Sequence, residues 1–210
     1  MKKFTAFQIT LMIFFSSVFV GMTVSTGVYD NVKDVIVTTL CLSCIKMDPI
    51  TNFEFTFEKN TDDPNPSFIL ENLTDGVVFL AFRQDVCEGC DKMEPVLKDL
   101  FDVEFEKEEL FYQQVDFDGE NVHFYHINLD HSSGDIRQSF FIYDQDDIGG
   151  VPMFVLVSLG NNSGNIEPYY TAAYATLGLQ ANEGRKAALK KMITTGINIY
   201  LENKDYYSLS

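Results

Sequence analysis

An unbroken apolar run, Val77 to Phe82, gives way to a short polar break and then to Cys87-Glu88-Gly89-Cys90, with Pro95 five residues beyond the second cysteine. A run this short and this apolar reads as a strand buried on both faces. The segment after it, from about Cys87 to Phe101, carries Met93, Val96, Leu97, Leu100 and Phe101 at helical spacing. Two cysteines separated by two residues at a strand-to-helix junction constrain both the fold and the chemistry of the chain.

The flanking pattern continues the alternation. Phe53, Phe55 and Phe57 alternate with Glu54, Thr56 and Glu58, as in a half-buried strand. Asn65 or Ser67 is placed to cap a short helix reaching Leu73, and Asp75-Gly76 is a turn. Asp102 to Glu109 is polar and acidic, and reads as the solvated end of the cysteine helix. Leu110 to Phe117, Asp118-Gly119 and Val122 to Leu129 form a hairpin pattern. Ile136 to Tyr143 is a short helix, Val151 to Leu159 another buried strand, and Gly160 to Gly164 a turn. Tyr169 to Tyr174 reads as an edge strand. A last amphipathic helix spans about Asn182 to Leu201, with Leu189, Met192, Ile193, Ile197 and Tyr200 inward.

The amino terminus differs in kind. After Met1-Lys2-Lys3 no charged residue occurs until Asp30. That run exceeds the roughly 20 residues needed to cross a bilayer as a helix and is longer than the apolar core of a usual secretory signal. Residues 1–28 are therefore expected to be a signal-anchor helix, with a cleaved signal and secretion as the alternative. Lys2 and Lys3 place the start of the chain in the cytoplasm and the remainder on the extracytoplasmic side, where disulfides persist. Residues 29–50 form a juxtamembrane segment carrying Cys41 and Cys44, and residues 51–205 the folded domain.

With 15 basic against 31 acidic residues the formal net charge is −16, and no basic stripe interrupts it. Such a surface repels a phosphate backbone, so nucleic acid is excluded as an expected partner.

Cys87 at a helix N-terminus would sit over unsatisfied backbone N–H groups and the positive end of the helix dipole, which stabilise a thiolate. Cys90, about one turn on, could close on Cys87 and expel a bound partner. Glu88, Asp91 and Glu94 oppose that thiolate, whereas Lys92 and Arg83 favour it. Inert core thiols or a static disulfide remain the bland alternative. A zinc site would need both cysteine pairs. Neither lies in a Gly-rich knuckle, so no metal ligand is assigned.

Buried strand, loop, C-x-x-C opening a helix and a proline five residues later together resemble the thioredoxin family. Gly149-Gly150-Val151-Pro152 before an apolar run matches the family's cis-proline loop, and the element order from Val77 fits β-α-β-α-β-β-α. The resemblance covers about Phe53 to Asn203. It implies an α/β thioredoxin-like fold, a central mixed sheet flanked by helices, and thiol-disulfide exchange with protein thiols or disulfides. Cys87 would attack, Cys90 would resolve, and Val151 and Pro152 would receive substrate; no cofactor is implied. The chain departs from the family in having Val86 where Trp is frequent and Ala81 where many members carry a buried Asp, and in about 20 extra residues, roughly Asp102 to Asn121.

Cys41 and Cys44 read as a second dithiol, a disulfide of their own, or packed thiols. His123, His126 and His131 raise a copper-handling alternative on the same fold. Asn72-Leu73-Thr74 and Asn161-Asn162-Ser163 match the N-glycosylation sequon.

Overall fold

The computed structural model describes residues 54–60, 64–144 and 148–207. The expected anchor over 1–28 and the expected juxtamembrane segment over 29–50, with Cys41 and Cys44, lie outside them. Among the described residues, no helix is long and apolar enough to cross a membrane.

Among the described residues, six strands and four α-helices follow one another as β1 (Glu58–Lys59), α1 (Ser67–Asn72), β2 (Val77–Arg83), α2 (Glu88–Phe101), β3 (Phe111–Phe117), β4 (Glu120–Asn128), α3 (Gly134–Tyr143), β5 (Met153–Asn162), β6 (Asn165–Tyr174) and α4 (Asn182–Asn203). They build one mixed sheet in the order β1-β6-β5-β2-β4-β3. β2 is central, parallel to β4 and antiparallel to β5, and every one of its residues is buried. This is the position for which its unbroken apolar run suits it. Phe79 anchors the core, lying 5.1 Å from Phe101 of α2, 6.0 Å from Phe124 of β4 and 6.3 Å from Phe154 of β5, centroid to centroid. On α4, Leu189, Met192, Ile193, Ile197 and Tyr200 are buried as their spacing predicts.

Five expectations are corrected. The Phe55 and Phe57 segment keeps its half-buried alternation, but only Glu58 and Lys59 pair with β6. With β1 beyond it, β6 is not the edge strand it was expected to be. Neither Asn65 nor Ser67 caps α1: Pro66 is the N-cap residue, and its carbonyl accepts from the N–H groups of Ile69 and Leu70. Asn65 instead accepts from the Tyr143 hydroxyl at 2.9 Å. The segment after Phe101 does not extend α2. Asp102 turns left-handed (φ 53°) and ends the helix, which lets Val103 and Phe105 fold back into the core with about 6% exposure each. The turn between β5 and β6 is Ser163-Gly164 alone, because pairing continues out to Asn162 opposite Asn165.

Candidate functional site

The C-terminal end of β2 delivers the chain into a tight loop, and α2 begins immediately after Cys87. Cys87 is the N-cap residue (φ −147°, ψ 94°), and its sulfur accepts the Cys90 N–H at 3.0 Å. An N-cap normally uses an oxygen to satisfy one of the free N–H groups of the first turn; here Sγ occupies that place. Cys87 and Cys90 are joined as a disulfide, Cα atoms 5.2 Å apart. Cys90 is 3% exposed and Cys87 9%, while the preceding Val86 stands 98% exposed. Cys87 is thus the outer sulfur.

The Val151–Pro152 peptide is cis. A Cβ placed on Gly89 would meet Pro152 Cδ at 2.9 Å, so the proline ring lies directly against the residue between the cysteines. The Pro152 carbonyl accepts from Ala175 N–H at 2.8 Å, tying this loop to the end of β6. The structure therefore brings Cys87, Cys90 and Pro152 together, with Val151 half-buried beside them.

The β2–α2 loop is pinned from the other side. Asp85 N–H donates to Asp130 at 2.8 Å, Asn128 Nδ2 donates to Asp85 at 2.8 Å, and His131 Nε2 donates to both Asp85 oxygens at 3.1 Å. The Asn128 hydrogen bond and, after it, His131 hold the Asp85 carboxyl below its usual range.

The three carboxylates expected to oppose a thiolate are each matched with a cation. Glu88 pairs with Lys92 at 2.6 Å, four residues on along the helix, and Asp91 with Lys107 at 2.6 Å. Those hydrogen bonds lower the pKa of each carboxyl. Glu94 pairs with Arg83, whose side chain is only 3% exposed and which also donates to the Gln84 carbonyl from Nε at 3.2 Å and Nη2 at 3.0 Å. The acidity written into this helix is largely neutralised where it meets the cysteines.

Beneath Cys90 lies a cavity of about 10 Å³, whose walls include Ala81, Arg83, Glu94, His126 and Pro152. A space of this size admits about one water. His126 is 1% exposed and packs on Phe105 with ring centroids 4.1 Å apart. Among the described residues its Nδ1 has no hydrogen-bond partner. Burial first, then the charges of Arg83 and Lys98, push its pKa down to about 3, so it is neutral.

The histidines are not gathered. His123 and His126 differ by an odd number along β4 and point to opposite faces of the sheet. His123 accepts from the Tyr112 hydroxyl through Nδ1 at 3.0 Å and donates to Asp75 through Nε2 at 2.7 Å. Among the described residues no group of three or more His, Cys, Asp or Glu side chains could hold a metal ion.

The Arg83–Glu94 pairing and the position of His126 were not read from the sequence. One signal was available for Glu94: it stands four residues after Cys90, on the same face of the helix. No protein-family model matches the chain, and no curated protein matches it.

Proposed function

We propose that this chain is a thioredoxin-like thiol-disulfide oxidoreductase that exchanges disulfides with protein cysteines, tethered to a membrane with its domain on the extracytoplasmic side. The observation that carries the reading is the Cys87–Cys90 pair at the N-terminus of α2, outer sulfur first, with the Pro152 ring against Gly89. The tether is carried by the uncharged stretch from Phe4 to Tyr29 alone.

From the disulfide state, a substrate thiolate attacks Cys87 Sγ. The substrate–Cys87 bond forms, the Cys87–Cys90 bond breaks, and Cys90 departs as a thiolate into the cavity beside Arg83. A second substrate thiolate attacks the substrate sulfur of the mixed disulfide, forming the substrate disulfide and releasing Cys87 as a thiolate stabilised by the helix N-terminus. Two electrons pass from substrate to protein, and the protons lost by the substrate thiols go to solvent or to the new thiolates. Run backwards, the same steps reduce a substrate disulfide. Val151 offers backbone on which an extended substrate segment can pair.

The test is Cys90→Ser. Without the resolving thiol, intermediates formed through Cys87 persist as mixed disulfides, visible as adducts that vanish on reduction and in the Cys87→Ser/Cys90→Ser double variant. A folded Cys90→Ser protein that forms no such adducts in an oxidising compartment refutes the assignment.

A further inference from the structure

We infer that Asn161, and not Asn72, is an acceptor for N-linked glycan. The inference rests on the extracytoplasmic placement proposed above; the choice between the two sequons rests on the structure.

Transfer requires the asparagine Nδ2 to reach the anomeric carbon of a lipid-linked oligosaccharide. The nitrogen–carbon bond forms, the bond from that carbon to the lipid phosphate breaks, and the nitrogen releases a proton. At Asn72 all parts of the acceptor are engaged. Nδ2 donates to the Tyr125 hydroxyl at 2.7 Å, and Thr74 Oγ1 donates to the Glu71 carbonyl at 2.6 Å. Leu73 between them is fully buried, and Tyr125 packs edge-on against Phe68 at 5.1 Å. A glycan there would break the Tyr125 bond and pull Leu73 from the core.

Asn161 stands in the opposite situation. Residues 161–165 are all exposed. Its side-chain oxygen accepts from Gly164 N–H at 2.8 Å, which orients the amide while Nδ2, among the described residues, meets no partner. The tip of the hairpin also runs past the neighbouring strands: β2 pairs β5 only along Met153 to Val157, and β1 pairs β6 only at Tyr169 and Tyr170. Its tip is therefore flanked by no strand. β5 leaves the cysteine pair at Pro152, so nine residues of strand place Asn161 roughly 30 Å from the disulfide. A glycan at the tip leaves the exchange site open.

The full chain, synthesised in the presence of endoplasmic-reticulum microsomes, should show one mobility step that an N-glycosidase removes. Asn161→Gln and Ser163→Ala should each abolish the step, and Asn72→Gln should leave it intact. A tail carrying its own acceptor sequon after Ser210 reports the compartment independently. A modified tail with an unmodified Asn161, or a step that depends on Asn72, overturns the inference and leaves the placement standing. An unmodified tail overturns the placement, and the inference with it.

Discussion

Glu94→Gln should make the cysteine pair more acidic and more oxidising. Cys90 and Glu94 lie four residues apart on α2, a spacing that sets their Cβ atoms about 5–6 Å apart. Arg83 and Glu94 together bring no net charge to Cys90. Glutamine keeps the shape, removes the negative member and leaves the guanidinium beside the sulfur. At roughly 6 Å and an effective dielectric constant near 20, the lost repulsion is about 2.8 kcal/mol, or about two pK units. The Glu94 side chain is 11% exposed, so solvent trims this to about one to two units. Only the dithiol carries a thiolate, so its stabilisation favours the reduced form and raises the reduction potential by on the order of 30 mV for each 1.4 kcal/mol. Arg83→Met leaves the carboxylate alone and should move both quantities the other way. The lower macroscopic pKa of the reduced pair is read from alkylation rate against pH, and the potential from equilibration with glutathione. A folded Glu94→Gln protein whose pKa stays put or rises would refute the electrostatic coupling. Removing either partner also strands a buried charge, at about 3–5 kcal/mol. Arg83 keeps the Gln84 carbonyl and Asp91 at 3.7 Å, so Glu94→Gln should fall at the low end in urea unfolding.

His126 has a folded pKa of about 3, below the roughly 6.5 of an unfolded histidine. The unfolded chain therefore takes up the proton first. Stability should fall as pH drops from about 6.5 toward 3, by at most about 1.4 kcal/mol per pH unit from this group, and His126→Leu should remove that part of the slope in denaturant titrations. Gly196→Ala should destabilise by about 1–3 kcal/mol, because the added Cβ meets Leu156 Cγ at 3.1 Å and Cδ2 closer still; an unchanged urea midpoint would show that α4 can shift off β5 freely. In sealed microsomes a thiol reagent unable to cross membranes should label reduced Cys87 only after the vesicles are opened, and labelling of sealed vesicles would overturn the extracytoplasmic placement.

Much of the fold is legible because its signals are local. Val77 to Phe82 could be placed as a central strand since no alternation relieved its apolar run, and the structure buries it on both faces. Asp118-Gly119 marked its hairpin because both positions adopt positive φ, 55° and 94°, as a two-residue turn of this twist demands. Asp102 to Glu109 misleads for a reason of the same kind. Its acidic residues outnumber its apolar ones, and the two that matter, Val103 and Phe105, alternate over too short a stretch to announce a segment crossing the core. The rank of β6 was hidden because a two-residue partner strand leaves almost no pattern of its own.

The site divides along the same line. A dithiol at a strand-to-helix junction is a matter of neighbours in sequence, and so Cys87 and Cys90 could be named. The charge balance around them is not. Composition and proximity along the helix predict a thiolate opposed by Glu88, Asp91 and Glu94. Which of those charges a sulfur experiences depends on cations brought from elsewhere: Lys107 from the segment after α2 and Arg83 from the end of β2. Arg83 can enter only because it alternates in phase with Ala81 along β2, so that both turn to the side where Cys90 and Glu94 line the cavity. The small side chain at Ala81 leaves that space, and the long one at Arg83 brings a charge to its edge. A loop and half of α2 separate Arg83 from Glu94 in sequence, yet strand phase and helix phase bring them into contact. The poise of the pair is therefore set by tertiary packing, and the paired substitutions Glu94→Gln and Arg83→Met are the direct measure of it.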